Sequence, residues 1–313
     1  MRSGMKLRGH FISSKWIRLL LACLCFLVLV IAGGIFSHHQ LATTEPSVPS
    51  QTLRIGAIPV ESIEKTQDQL QPLIEYLEKK TGFKVELIVS TDYRSVIDKM
   101  RLKEIDIAMF GPFSYVLAHK QAGAQVFAST ENSEAGKKYY SVFIAHPETG
   151  IENIHQLRER RLAFTDRDST SGYLIPKAML LKNGIDPDKD LQSVVFLEHH
   201  DASILAVKKR LVDAAAVSST ILQSMRVKGL IGDKDYRIIE TSEAIPGSGT
   251  VWAYREGLSA DFFAKVKDAF FSANHEEGAL GAFATEVGTF FLVDDREYDV
   301  IRDTSHMLEM DEE

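Results

Sequence analysis

Residues 164–185 read FTDRDSTSGYLIPKAMLLKNGI. The stretch begins on the end of an apolar run, RLAFTD (161–166), and closes on a helical pattern, YLIPKAMLLKNG (173–184). Between them stand Asp166, Asp168, Ser169, Thr170, Ser171 and Gly172. An apolar strand that turns directly into a helix is the unit from which α/β sheets are built. One capping hydroxyl is enough to start a helix, so three in a row pose a question. Helix N-termini carry unpaired N–H groups and a partial positive charge, and they hold phosphate-like anions without a lysine. Two readings stand at this point. One is a plain N-cap in which a serine is the capping residue. The other is an oxyanion seat, with one hydroxyl for each oxygen and Gly172 clearing space where backbone must come close.

The same strand-to-helix signature repeats on both sides of this stretch. LRIGAI (53–58) is strand-like and precedes a helical stripe through Leu70, Leu73, Ile74 and Leu77 that ends at Gly82. KVELIVS, IDIAMFG and AQVFAS alternate with helical patterns, one of them opened by Pro112. After YYSVFIAH (139–146) the cycle restarts with RLAFTD, SVVFLE and DAAAVSS, each followed by a helix, then YRIIETSE and TVWAYRE as strands. The stripe Phe262, Phe263, Val266, Ala269 and Phe270 makes one further helix. Two β/α runs of about a hundred residues each predict two α/β lobes, and ligands of open α/β sheets sit at the carboxyl ends of strands.

The first fifty residues differ in kind. Arg2, Lys6, Arg8, Lys15 and Arg18 precede Leu19–Phe36, an apolar run without a charge, and no further Lys or Arg occurs before Arg54. A basic flank before an apolar run reads as an export signal. At about 18 residues the run suits either a cleaved signal or a retained membrane anchor, and Ser37–Gln51 reads as a polar linker. Both cysteines, Cys23 and Cys25, lie within the run, so the exported part has neither a disulfide scaffold nor a thiolate metal site. That part carries 31 basic against 42 acidic residues, a balance that speaks against a nucleic-acid partner.

From Leu53 to about Leu308 the chain resembles the phosphonate/phosphite substrate-binding proteins of bacterial ABC importers, the PhnD-like periplasmic binding proteins. The segments that carry the resemblance are LRIGAIP, LIEYLEKKTGFKVELIVSTDY, IDIAMFGPFSY, DSTSGYLIP, HHDASILAVKKRLVDAAAV and IPGSGTVW, in the family's order. The resemblance implies a two-lobed periplasmic-binding-protein clamp of type II, or Venus-flytrap, architecture. It also implies no catalysis, no cofactor and no metal. Residues 1–51 are expected to be signal or anchor plus linker, 52–145 and 243–313 the first lobe, and 146–242 the second. Chain crossings, and with them the hinge, are expected near Phe143–Pro147 and Ser242–Pro246.

Carried over by motif, the family's site places Tyr93 and Tyr139 as phenolic donors from the first lobe. Ser169, Thr170 and Ser171 receive the oxyanion on the second, and His200 adds a donor. Read without the resemblance, the two tyrosines are lobe-core aromatics and His200 a helix cap. His199 reads as solvated, Tyr115 and Tyr140 as packing residues, and Asp213 as a turn or cap residue. Where family members that take aminoalkylphosphonates hold carboxylates for the ammonium, the offsets here fall on Thr220 and Ser248, both neutral. The expected ligand is therefore a small phosphorus oxyanion such as phosphite or methylphosphonate, delivered to an ABC permease and its ATPase outside the cytoplasm. A membrane-tethered sensor or adaptor, held by residues 19–36, is an alternative, as is a binder of alkylsulfonate or phosphate. No G-x-S-x-G or H-E-x-x-H motif points to an enzyme.

Overall fold

The computed structural model describes residues 51–131, 136–281 and 288–311. The expectations for residues 1–50, the apolar run included, lie outside them.

In the first lobe, β1 (Thr52–Ala57), α1 (Ile63–Thr81), β2 (Lys84–Val89), α2 (Tyr93–Arg101), β3 (Ile107–Phe110), α3 (Pro112–Ala122) and β4 (Gln125–Thr130) alternate strictly. Helix α1 begins where the Ser62 hydroxyl accepts from Lys65 N–H, and it ends on Gly82 in the left-handed conformation. Its inner stripe is Thr66, Leu70, Leu73, Ile74 and Leu77, all buried. Strands β2, β1 and β3 form a parallel trio. Beside it lie β12 (Val251–Tyr254), antiparallel to both β3 and β4, and β13 (Phe290–Phe291) on the far edge of β4. Helices α7 (Ala260–Ser272) and α8 (Asp299–Met307) complete this lobe.

The second lobe repeats the plan. Its sheet runs β10 (Arg237–Thr241), β6 (Ser141–Ala145), β9 (Ala214–Ser218), β7 (Arg161–Phe164), β8 (Ser193–Phe196). Strands β8, β7 and β9 are the parallel trio, and β6 and β10 continue antiparallel. Alternation along β6 sends Val142 and Ile144 into a core with Ile204, Val207 and Met225, and Phe143 and Ala145 into one with Phe164, Leu180 and Ile185. The helices are α4 (Ile175–Lys182), α5 (His200–Lys208) and α6 (Ser219–Val227).

The chain passes between lobes twice, and the passages pair as β5 (Lys138–Tyr139) against β11 (Ile245–Pro246). Strand β6 pairs with β9 and β10, so residues 141–145 group with the second sheet. In both lobes the carboxyl ends of the parallel trio and the helix starts that follow them, Tyr93, Pro112, Thr170, His200 and Ser219, gather around one cleft.

Candidate functional site

The cleft encloses a cavity of about 50 Å³, walled by Val60, Thr66, Gln69, Leu70, Tyr93, Met109, Gly111, Tyr139, Ser169, Thr170, Ser171, His200, Ser218, Thr220, Ile221 and the loop Ser248–Thr250. All eight residues singled out from the sequence are in that wall, and each is buried. Among the described residues that line it, none is Asp, Glu, Lys or Arg. At about 10–15 Å³ per water-sized sphere, the space holds about four such spheres, as many as the atoms around the centre of a tetrahedral oxyanion.

The three hydroxyls divide their tasks. Ser169 Oγ accepts from Gly172 N–H at 3.1 Å, so it is the cap, and Leu174 N–H reaches back five residues to Ser169 O at 3.0 Å. This widened first turn, Thr170–Leu174, runs directly into α4, and wide turns of this type recur at binding sites. Thr170 Oγ1 accepts from Phe113 N–H at 2.8 Å, reaching across to the start of α3 in the other lobe. Ser171 carries neither duty, and Ser141 Oγ donates to its carbonyl at 2.7 Å. The plain-cap reading thus accounts for Ser169 and leaves the other two over. Gly172 serves the turn itself: an added Cβ would lie 1.7 Å from Thr165 Oγ1, so the close approach is to the end of β7.

Both tyrosines face this turn. The Tyr93 hydroxyl lies near Ser169, and that of Tyr139 near Thr170 and Ser171. Burial raises both phenols above their ordinary range, so each keeps its proton and can donate. Gly249, at φ 101°, leaves room for the Tyr139 ring, which an added Cβ would meet at 3.3 Å. His200 is the first residue of α5, and its Nδ1 accepts from Ser218 N–H at 3.1 Å. The ring proton therefore sits on Nε2. Burial lowers the imidazole to about 4, so near neutral pH His200 is an uncharged donor. Thr220 Oγ1 donates to Ser248 O at 3.2 Å, and Ser248 Oγ lies 2.5 Å from Thr130 Oγ1. The two positions read as neutral are adjacent in the wall.

The acids beside the hydroxyls turn away from the cavity and join the lobes. Asp166 Oδ2 accepts from Tyr93 N–H at 3.0 Å, and its Oδ1 from Asp168 N–H at 2.7 Å. Arg94 grips both oxygens of Asp168, at 2.9 and 3.0 Å. Burial pushes Asp168 up to about 6, against the pull of Arg94. On the far side, His200 N–H donates to Val60 O at 3.1 Å, and Lys65 meets Asp201 at 2.7 Å. His199 is partly exposed, and its Nδ1 lies 3.0 Å from Pro59 O, a contact between the lobes. Tyr115 is a core residue whose hydroxyl meets Asp295. Tyr140 packs against the second-lobe core, and Asp213 holds Arg161 at the start of β7.

A family model described as "ABC transporter, phosphonate, periplasmic substrate-binding protein" matches residues 55–298. The chain belongs to this family. It is 30% identical over 277 residues to the phosphate-import protein PhnD of Mycolicibacterium smegmatis, covering 85% of this chain and 83% of that one. Two solved structures share its two-lobed fold. The binding-protein component of an ABC phosphonate transporter from Pseudomonas aeruginosa superposes with a TM-score of 0.78 at 24% identity, over 83% of this chain and 87% of the other. PhnD1 of Prochlorococcus marinus, in complex with methylphosphonate, gives 0.76 at 19% identity, over 83% and 99%. This periplasmic binding protein is thus built on the type II clamp expected from its sequence.

Sequence reasoning missed Thr66, Gln69, Leu70, Val60 and Met109 as cavity residues. A signal existed for Thr66, since it stands one turn before Leu70 on the apolar stripe of α1. A hydroxyl on a buried stripe invites the question of what it meets.

Proposed function

We propose that this protein binds a small phosphorus oxyanion, of the phosphite, phosphate or short alkylphosphonate class, and passes it to an ABC permease and its ATPase without chemical change. The observation that carries this reading is a cavity of oxyanion size walled by uncharged donors at the start of the α4 segment. The first-turn N–H groups of Thr170 and Ser171 have no preceding carbonyl in the helix to serve, and hydroxyls and Nε2–H surround them. An anion stripped of water needs a donor at each oxygen. A planar carboxylate or nitrate would leave part of a tetrahedral set unpaired, at about 1–3 kcal/mol for each group. The binding of methylphosphonate by the Prochlorococcus relative and the name of the Mycolicibacterium one support the ligand class.

The neutral wall also argues against an ammonium-bearing ligand. Glu61, buried beside it, is engaged by Gln69 at 2.6 Å and Lys65 at 3.6 Å. 2-Aminoethylphosphonate would forgo a charge-assisted bond of about 1.5–3 kcal/mol.

Titration calorimetry on the full-length protein in mild detergent tests the reading, with phosphite, phosphate, methylphosphonate, 2-aminoethylphosphonate, sulfate and taurine. A true ligand at a hundred times its Kd should also stabilise the fold by about 2.7 kcal/mol. Ser169→Ala, Thr170→Ala and Ser171→Ala should each weaken binding by about tenfold or more. Unchanged affinity in all three would return Ser169–Ser171 to an ordinary helix cap.

A further inference from the structure

The donors described so far account for the oxygens of the ligand. Part of the wall, to which α1 contributes, is of another character. Val60, Leu70 and Ile221 are apolar, and Gln69 donates to Glu61. Set among them is Thr66, 1% exposed, which lines the cavity and whose Oγ1 has no hydrogen-bond partner among the described residues. Buried hydroxyls without a partner are rare in folded proteins, and each calls for a reason. Helix interiors often satisfy a threonine through the carbonyl three or four residues back. Thr81, in the same helix, does so with Leu77 O at 2.6 Å. Thr66 does not.

We propose that Thr66 reads the fourth substituent of the phosphorus ligand and selects one that carries a hydroxyl. The assignment rests on the functional reading above. Three oxygens at the Ser169–Ser171 turn leave a single corner of the tetrahedron for the rest of the wall, to which Val60, Thr66, Leu70 and Ile221 contribute. A hydrogen or methyl group in that corner leaves Thr66 buried and unpaired. A P–OH, as in hydrogen phosphate, or a C–OH, as in hydroxymethylphosphonate, gives Thr66 the partner it lacks, since a threonine hydroxyl both donates and accepts. Discrimination of this kind is strong because it penalises the analogue that lacks the group. A partner gained or lost at such a site is worth about 5- to 150-fold in affinity. The cavity volume of about 50 Å³ suits the P–OH form without enlargement.

The test compares hydrogen phosphate, hydroxymethylphosphonate, methylphosphonate and phosphite on the full-length protein, at one pH, for wild type, Thr66→Val, Thr66→Ser and Ser171→Ala. Wild type should bind a hydroxyl-bearing ligand more tightly than methylphosphonate. Thr66→Val, nearly the same shape, should lose at least about fivefold on that ligand and less than twofold on methylphosphonate and phosphite, while its melting temperature holds or rises. Thr66→Ser should keep the wild-type preference, and Ser171→Ala should weaken all ligands alike. Loss with phosphate alone places the hydroxyl on phosphorus, whereas loss with hydroxymethylphosphonate places it on carbon. An unchanged ratio of affinities in Thr66→Val, or a wild-type preference for methylphosphonate, overturns the Thr66 assignment but leaves the functional reading standing. Binding of none of the four overturns that reading itself.

Discussion

Replacing His200 with glutamine should uncover a pH dependence of stability that the wild-type protein conceals. The imidazole, 3% exposed, is held down to about 4 from an ordinary value of 6.5. As pH falls below 6.5 the unfolded chain gains a proton that the folded one refuses, so this group withdraws about 3 kcal/mol of stability by pH 4. Asp168 works in the opposite sense. Burial lifts its carboxyl to about 6 from an ordinary 3.8. The folded chain then keeps a proton that the unfolded chain has already lost. Its contribution is full below 3.8 and is gone once pH has risen through 6, again about 3 kcal/mol. The two windows overlap between pH 4 and 6 with slopes of opposite sign, so in the wild type they offset each other. Glutamine preserves an acceptor for Ser218 N–H but does not titrate. Relative to wild type, His200→Gln should therefore lose about 3 kcal/mol as pH rises from 4 to 6, while Asp168→Asn should gain a similar amount. Urea unfolding of the three proteins at half-unit pH steps, read as differences from wild type, measures both slopes. Parallel profiles for all three would refute the burial argument for both groups.

Three other outcomes are expected. Gly172→Ala, which sets a methyl 1.7 Å from Thr165 Oγ1, should cost about 3 kcal/mol of unfolding free energy in denaturant titration, with partial recovery when Thr165→Ala is added. Arg94→Ala removes the cross-lobe grip on Asp168 without touching the cavity wall. It should weaken ligand binding by about fivefold, in line with about 1 kcal/mol for a half-exposed pair, and enlarge the ligand-free radius of gyration in X-ray scattering. Thr220→Asp places a carboxylate in the neutral wall. In calorimetry it should improve 2-aminoethylphosphonate by about tenfold and impair methylphosphonate.

The local part of this architecture was legible because local patterning makes it. The strands and helices from Leu53 to Val227 follow from apolar runs, periodic stripes and the boundary residues Gly82 and Pro112. The hydroxyl cluster at 169–171 pointed to a site because its number exceeded what a cap needs. What escaped the reading depends on partners distant in the chain. The two-residue strands β5, β11 and β13 are too short to show a period, and β6 looked continuous with Tyr139 although it belongs to the other sheet. Nothing adjacent to His199 or Asp166 announces that they bond to Pro59 and to Tyr93 N–H, 140 and 73 residues away. Thr66 was passed over because a single threonine at the head of a helix is ordinary until its surroundings are known.

Tyr139 occupies β5, the short strand where the chain first passes from one lobe to the other. A phenol of the cavity wall is thus mounted on the axle rather than on either jaw. Any swing of the jaws must turn that ring, and any guest that presses on the ring resists the swing. Changes in the neighbouring Gly247–Gly249 turn should therefore alter how long a ligand stays more than how quickly it arrives.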